Sequence, residues 1–268
     1  MLRVTALAVL AVRFACAQTA FDVASVKPAA ECETRRSIHP GKLELTCMTL
    51  RRLATMAYGA ITGDQLNPRF LQVVGGPDWL DTDRFDVIAK ADPSMSTARM
   101  GGPFLKALLE ERFHLEAHVA TREQPVYAMT AAKGGVKLTP AKDGACVPMD
   151  LSKPDTLQAG GVYHCGMPRE SENASGQTLD VFGITLTEFA GRALAGNLDR
   201  PVIDKTGLTG RFDIHLEYTR PKSLDEPDPS AAPTIFTALQ QQLGLRLRAD
   251  KGPVDVIVVD HAEKPSAN

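Results

Sequence analysis

The sequence predicts an α+β protein made of two tandem copies of a small β-α-β-β-α-β-β unit, each with two helices packed on short mixed sheets. Three observations lead there. Four blocks of residues recur in the same order along the chain, at offsets between 127 and 136. Two of the blocks carry apolar residues at helical spacing, and the other two alternate or are rich in β-branched residues. One shared block would mean little, but four in register are hard to obtain by chance.

The first block is Thr49–Ala54, matched by Thr185–Ala190. Leu50, Leu53, Ala54, Ala57 and Tyr58 fall on one helical face, as do Leu186, Phe189, Ala190 and Ala193. Thr49 and Thr185 stand where N-caps belong, and Gly59 and Gly196 where a helix should stop. A short apolar stretch follows in each copy, Leu71–Val74 and Pro201–Asp204, and supplies one strand. The second block is the alternating strand Arg84–Ala89, matched by Arg211–Leu216. The third is a helix over about Phe104–Phe113 and Ile235–Leu243. The unit then closes in a hairpin, Leu115–Ala120 with Val126–Ala132, and Leu245–Ala249 with Val254–Asp260. Val254–Val259 is strongly β-branched and predicts a central strand.

The N-terminus fixes the compartment. Arg3 supplies a positive start, Thr5–Val12 an apolar run, and Ala15-Cys16-Ala17 a small-residue cleavage site. Residues 1–17 thus read as a secretory signal peptide cut after Ala17, which places the protein in the periplasm or outside the cell. Arg13 occupies the site that usually holds Leu, so Cys16 sits in a poor lipobox. No later run is long and apolar enough for a transmembrane segment. Loss of Arg3 and Arg13 from the 30 basic and 32 acidic residues leaves a net charge of about −4. That balance disfavours nucleic acid as a partner.

Residues 18–138 form the first repeat, 139–175 a linker with a disulfide loop, and 176–268 the second repeat. Thr139 to Ser175 is rich in Pro, Gly, Ser, Asp and Lys, as a junction should be. Pro221–Pro233 reads as a surface loop inside the second repeat. Cys32, Cys47, Cys146 and Cys165 are even in number in an exported chain and read as two disulfides. Three connectivities are possible. Cys32–Cys47 with Cys146–Cys165 is favoured, because each closes a short loop and the two pairs precede corresponding helices.

These residues also carry a resemblance. Phe21-Asp22-Val23-Ala24-Ser25-Val26-Lys27-Pro28 after a signal peptide, Gly75-Gly76-Pro77-Asp78-Trp79-Leu80, and Pro125-Val126-Tyr127 resemble a family of exported soil-bacterial proteins of unknown function. So do Leu108-Leu109 with Arg112-Phe113, Asp204-Lys205-Thr206-Gly207-Leu208-Thr209-Gly210, Gln242-Leu243-Gly244-Leu245 and the ending Lys264–Asn268. The resemblance covers nearly the whole mature chain. Related domains are found fused to membrane peptidases of the antibiotic-sensor type, and the family implies no catalytic residues. Each half also remotely resembles the short N-terminal domain of secretins and TonB-dependent receptors. That resemblance implies a domain that binds other envelope proteins and does no chemistry.

The chemistry-bearing residues are few. His114, Glu116 and His118 would share one face of a strand, where two imidazoles and a carboxylate could hold zinc in a small metal-dependent hydrolase. The competing reading is a polar outer face of an amphipathic strand. Trp79, the single tryptophan, follows a Gly-Gly-Pro turn and could anchor a partner or fold back onto the core. There is no GxSxG elbow, no P-loop and no dinucleotide fingerprint, so no cofactor is expected. The sequence therefore points to an envelope protein of unknown activity that acts as a non-catalytic protein- or ligand-binding module, with an envelope protein as its partner.

Overall fold

A computed structural model describes residues 20–30, 32–59, 69–148, 163–173, 176–219 and 233–265. The signal peptide expected at residues 1–17 and the loop expected at Pro221–Pro233 fall outside these residues, save Pro233. The fold is α+β, and among the described residues it has three four-stranded sheets. The first sheet has the order β1-β5-β3-β2, from β1 (Val23–Ala29), β2 (Arg35–His39), β3 (Lys42–Thr49) and β5 (Arg84–Lys90). The second has the order β10-β6-β12-β4, from β4 (Gln72–Gly75), β6 (Glu116–Ala131), β10 (Val202–Asp204) and β12 (Leu245–His261). The third runs β7-β11-β9-β8, from β7 (Thr139–Pro140), β8 (Arg169–Asn173), β9 (Gly176–Ile184) and β11 (Phe212–Tyr218). Both β7 and β8 come from the stretch 139–175 that the sequence reads as a linker, as does the second disulfide.

Helix α1 (Leu50–Gly59) buries Leu50, Leu53, Ala54, Ala57 and Tyr58, and the Thr49 hydroxyl caps it by accepting from the Arg52 N–H at 3.3 Å. Its counterpart, α5 (Leu186–Glu188), opens with a full capping box. Thr185 accepts from the Glu188 N–H, and the Glu188 carboxylate accepts from the Thr185 N–H. It then widens into a π turn over Phe189–Leu194. Two short helices, α2 (Trp79–Thr82) and α3 (Thr97–Arg99), flank β5. The later helix of each half pairs an α segment with a π turn: Met100–Phe104 into α4 (Leu105–Phe113), and α6 (Ile235–Ala238) into Leu239–Leu243. Both end in a left-handed residue, His114 at φ 46° and Gly244 at φ 65°. At Gly244 a Cβ would meet the Gly135 carbonyl at 2.1 Å, so only glycine fits there.

The hairpins expected from the sequence are not formed. Residues 116–131 and 245–261 are single strands, and they pair with each other, antiparallel, from Leu245↔Ala131 to His261↔Glu116. Leaving aside the short helices α2 and α3, β3 to β6 and β9 to β12 each run in the order β-α-β-β-α-β. Ladder parity explains why Pro125 and Pro253 do not break this ribbon. The Tyr127 N–H donates to Pro201 and the Met129 carbonyl accepts from Lys205, so odd-numbered residues of β6 point their backbone groups away from β12. Pro125 is one of these. Pro253, opposite Glu123, and Lys251, opposite Pro125, occupy the same kind of pair. Neither proline gives up a hydrogen bond between the two long strands.

Two short strands flank the ribbon crosswise. β4 of the first half lies parallel to β12, and β10 of the second half lies parallel to β6. The two cores are closed the same way. Ile257, Val259 and Ala262 join the core of the first half, and Met129 joins that of the second.

One local device occurs twice. β3 and β9 each bulge at a residue with positive φ, Cys47 at 60° and Gly183 at 61°. The Cys47 N–H donates to Asp86 and the Gly183 N–H to Asp213, each at 2.9 Å. Arg84 and Arg211 donate back to the carbonyls of the same two residues, at 3.2 and 2.6 Å. The recurring Arg-Phe-Asp phrase is thus a clamp on a β-bulge. Disulfides sit on both bulges. Cys47 is joined to Cys32, and the Cys146–Cys165 bridge packs on Gly183, where a Cβ would lie 2.7 Å from the Cys146 sulfur. Replacing Asp86 by Ala should leave the N–H of the fully buried Cys47 unpaired. The expected cost is about 1–3 kcal/mol in a urea-unfolding experiment, with Asp213→Ala behaving alike.

Candidate functional site

The crosswise flanks decide where a site can form. Gln72 starts β4 opposite Val256, and Val202 starts β10 opposite Tyr127, so the segments leading into both strands approach the middle of the ribbon from its two sides. There they enclose a cleft of about 320 Å³. Arg69, Phe70 and Gln72 come from the first half, Asp199, Arg200 and Pro201 from the second, and Gln124 and Pro125 form the floor.

Its polar groups are held in place. Arg200 is bonded to Asp199 at 2.9 Å and lies over the Tyr127 ring, 4.8 Å from its centre. Arg69 lies over Phe70 and donates to the Gly196 carbonyl at 3.3 Å. The side-chain amides of Gln72 and Gln124 pair reciprocally, at 3.2 and 3.4 Å. The hydrogen bond from Arg200 holds the Asp199 carboxyl below the usual carboxylate range, helped by the Tyr127 hydroxyl. Burial, and then Asp199, push the Tyr127 hydroxyl up. The cleft thus presents guanidinium donors, a carboxylate acceptor, amides that both donate and accept, and aromatic and prolyl walls. Among the described residues that line the cleft there is no Ser, Cys or His.

The residues singled out by sequence lie elsewhere. His114 caps α4 in a left-handed conformation, Glu116 faces His261 across the ladder, and the His118 ring is bonded to Asp260 at 2.7 Å. Strand alternation does put Glu116 and His118 on one face, but His114 precedes the strand. His114 lines a different cleft, of about 230 Å³, with Glu111 and Glu263. Among the described residues no group of three or more His, Cys, Asp or Glu side chains gathers to hold a metal. The zinc arrangement offered as the alternative reading of these three residues is therefore not assembled among the described residues.

Trp79 covers the core of the first half. It stacks on Phe113 at 6.4 Å and meets the edge of Phe85 at 6.2 Å. Its outer side carries the Lys264 ammonium, 5.8 Å from the ring and paired with Asp83 at 2.6 Å. The backbone of the same C-terminal segment is tied down where Glu263 donates to the Phe113 carbonyl at 2.7 Å. Among the described residues no helix is long and apolar enough to cross a membrane.

Gln72, Pro125 and Pro201 were legible in the sequence only as parts of strands and phrases, and nothing marked Arg69, Phe70, Asp199 or Arg200. Arg69 and Arg200 are 131 positions apart and meet only because β4 and β10 each pair with the other half's long strand.

Comparison with known proteins adds one finding. The family model described as a protein of unknown function, DUF3738, matches residues 51–262. The chain belongs to the DUF3738 family. No curated protein and no solved structure matches it. In this DUF3738 protein the match begins in α1 and runs past the end of β12, so it includes both long strands and every residue of the central cleft.

On the outer face of the third sheet, His215 is bonded to Asp180 at 2.7 Å, with Glu217 at 3.4 Å. Asp180 and then Glu217 raise the imidazole pKa, against partial burial. A raised pKa in the folded state stabilises the fold fully below the unfolded value of about 6.5 and loses that contribution as pH rises through the folded value. An NMR titration of the His215 ring should show a midpoint above about 6.5. It should fall back toward that value in Asp180→Asn.

Proposed function

We propose that the protein is a non-catalytic ligand-binding module of the bacterial cell envelope, built from two copies of one α+β unit, with its ligand seat in the central cleft. The observation that carries this reading is the cleft's lining, drawn from both halves. It supplies a guanidinium for a carboxylate, a carboxylate for an ammonium group, and amides for further polar atoms, all within about 320 Å³. That volume suits a small zwitterion such as a free amino acid. The signal-peptide pattern at residues 1–17 and the two disulfides support export. The resemblance of each half to the short binding domains of secretins and TonB-dependent receptors supports recognition without chemistry.

The test is a thermal-shift screen of the mature protein against free amino acids and small carboxylates at millimolar concentration. A ligand present at a hundredfold excess over its Kd stabilises by about 2.7 kcal/mol, which gives a clear rise in Tm. That rise should vanish in Arg69→Ala and Arg200→Ala and persist in Asp250→Ala, which lies outside the cleft. If no compound shifts Tm, and no small molecule is released on denaturing protein purified from its own envelope, the reading fails. Intact-mass analysis of the exported protein should show a chain starting at Gln18 with four cysteines oxidised in two pairs.

A further inference from the structure

The long ribbon has two outer edges, and the short flanking strands cover only part of each. β10 pairs β6 at Tyr127–Met129, and β4 pairs β12 at Val256–Val259. Among the described residues no strand pairs the outer edge of β6 from Ala117 to Glu123. By the ladder parity set at Tyr127 and Met129, the residues whose backbone N–H and C=O point outward along this stretch are Ala117, Val119, Thr121 and Glu123. The Ala117 carbonyl also accepts from the Tyr58 hydroxyl at 3.3 Å, which leaves its second lone pair. Val119 is 49% exposed, unusual for a valine in the middle of a strand.

Native sheets usually blunt such an edge. The matching edge of β12 is blunted, because Pro253 stands at an outward position and removes a donor, and Lys251 beside it is exposed. The β6 edge from Ala117 to Glu123 holds no proline.

Its side chains are complementary to themselves. An antiparallel copy of β6 centred on Val119 would set Val119 against Val119, Ala117 against Thr121, and Glu116 against Arg122, the last twice by symmetry. The Val119 and Ala117–Thr121 pairs fall on the outward-pointing residues and so form the hydrogen-bonded rungs. The Glu116–Arg122 pairs fall on the non-hydrogen-bonded rungs, where side chains approach most closely. Among the described residues neither Glu116 nor Arg122 has an ion-pair partner within its own chain.

We propose that the β6 edge is a homodimer interface, in which two copies of the protein join β6 to β6 antiparallel about Val119, with Glu116 of each facing Arg122 of the other. The contact is isologous and closes on itself, so it ends at a dimer. It leaves the ladder to β12 untouched and does not depend on the ligand in the central cleft.

Sedimentation equilibrium of the mature full-length chain over a concentration series tests this. The expected mass is that of a dimer. Arg122→Glu and Glu116→Arg, each placing like charges opposite one another twice, should raise the dimer Kd by about tenfold or more. Combining the two reversals in one chain should restore it. Val119→Pro, which removes an outward donor as Pro125 already does nearby, should give a monomer with an unchanged circular dichroism spectrum. A wild-type protein that stays monomeric throughout the series, or a dimer whose Kd ignores both single reversals, would overturn the proposal. Should a single variant misfold, recovery or loss of the dimer in the double reversal still decides.

Discussion

The pairing of β6 with β12 is the constraint on which the rest of the molecule depends. Sixteen residues of one strand and seventeen of the other form a ladder whose ends serve different cores. Met129, Leu245 and Leu247 pack into the core of the second half, while Ile257 and Val259 pack into that of the first. Neither core is complete within its own half. Each needs the far end of a strand that begins in the other, so the two cores are coupled through a continuous backbone. The flanking strands reinforce the exchange, β4 on β12 and β10 on β6. Contacts of this separation in sequence are costly in loop-closure entropy before they reward the chain.

The bulge clamps show how the outer sheets are pinned against that ribbon. A bulge leaves backbone groups off the ladder, and in a buried strand these must find partners. The Arg-Phe-Asp phrase solves this at both sites. Its carboxylate takes the bulge N–H, its guanidinium meets the bulge carbonyl, and the phenylalanine between them faces inward at Phe85 and is half-buried at Phe212. The disulfides cross-link just these points. In the first half the bulge residue is itself the cysteine, and in the second a glycine makes room for a bridge that lies on it. Different residues thus serve one geometry.

The same exchange creates the central cleft. Two segments that enter β4 and β10 are carried toward the middle of the ribbon, where they bring Arg69 and Arg200 to one hollow. The charged groups there are restrained by ion pairing, by ring faces and by backbone carbonyls, as the proposed recognition would require. Preorganisation of this kind lowers the entropy cost of recognition. The histidines point another way. His118 and His215 each hydrogen-bond a cross-strand aspartate on the surface, and His215 also reaches Glu217.

By itself the sequence determined what depends on neighbours a few residues apart. The helix at Leu50–Gly59, the capping threonines at 49 and 185, the strands at Arg84 and Phe212 and the β-branched run at Val254–Val259 were all legible, because periodicity and capping act locally. It left the hairpin question to be answered wrongly. Pro125 and Pro253 are compatible with a turn or with a strand whose nitrogen faces outward, and only the opposing strand settles which. Tertiary structure alone decided that β6 and β12 run straight through and pair with each other, that β4 and β10 cross over, and that the cleft residues meet. Those outcomes rest on pairings between residues more than a hundred positions apart, for which no local pattern exists.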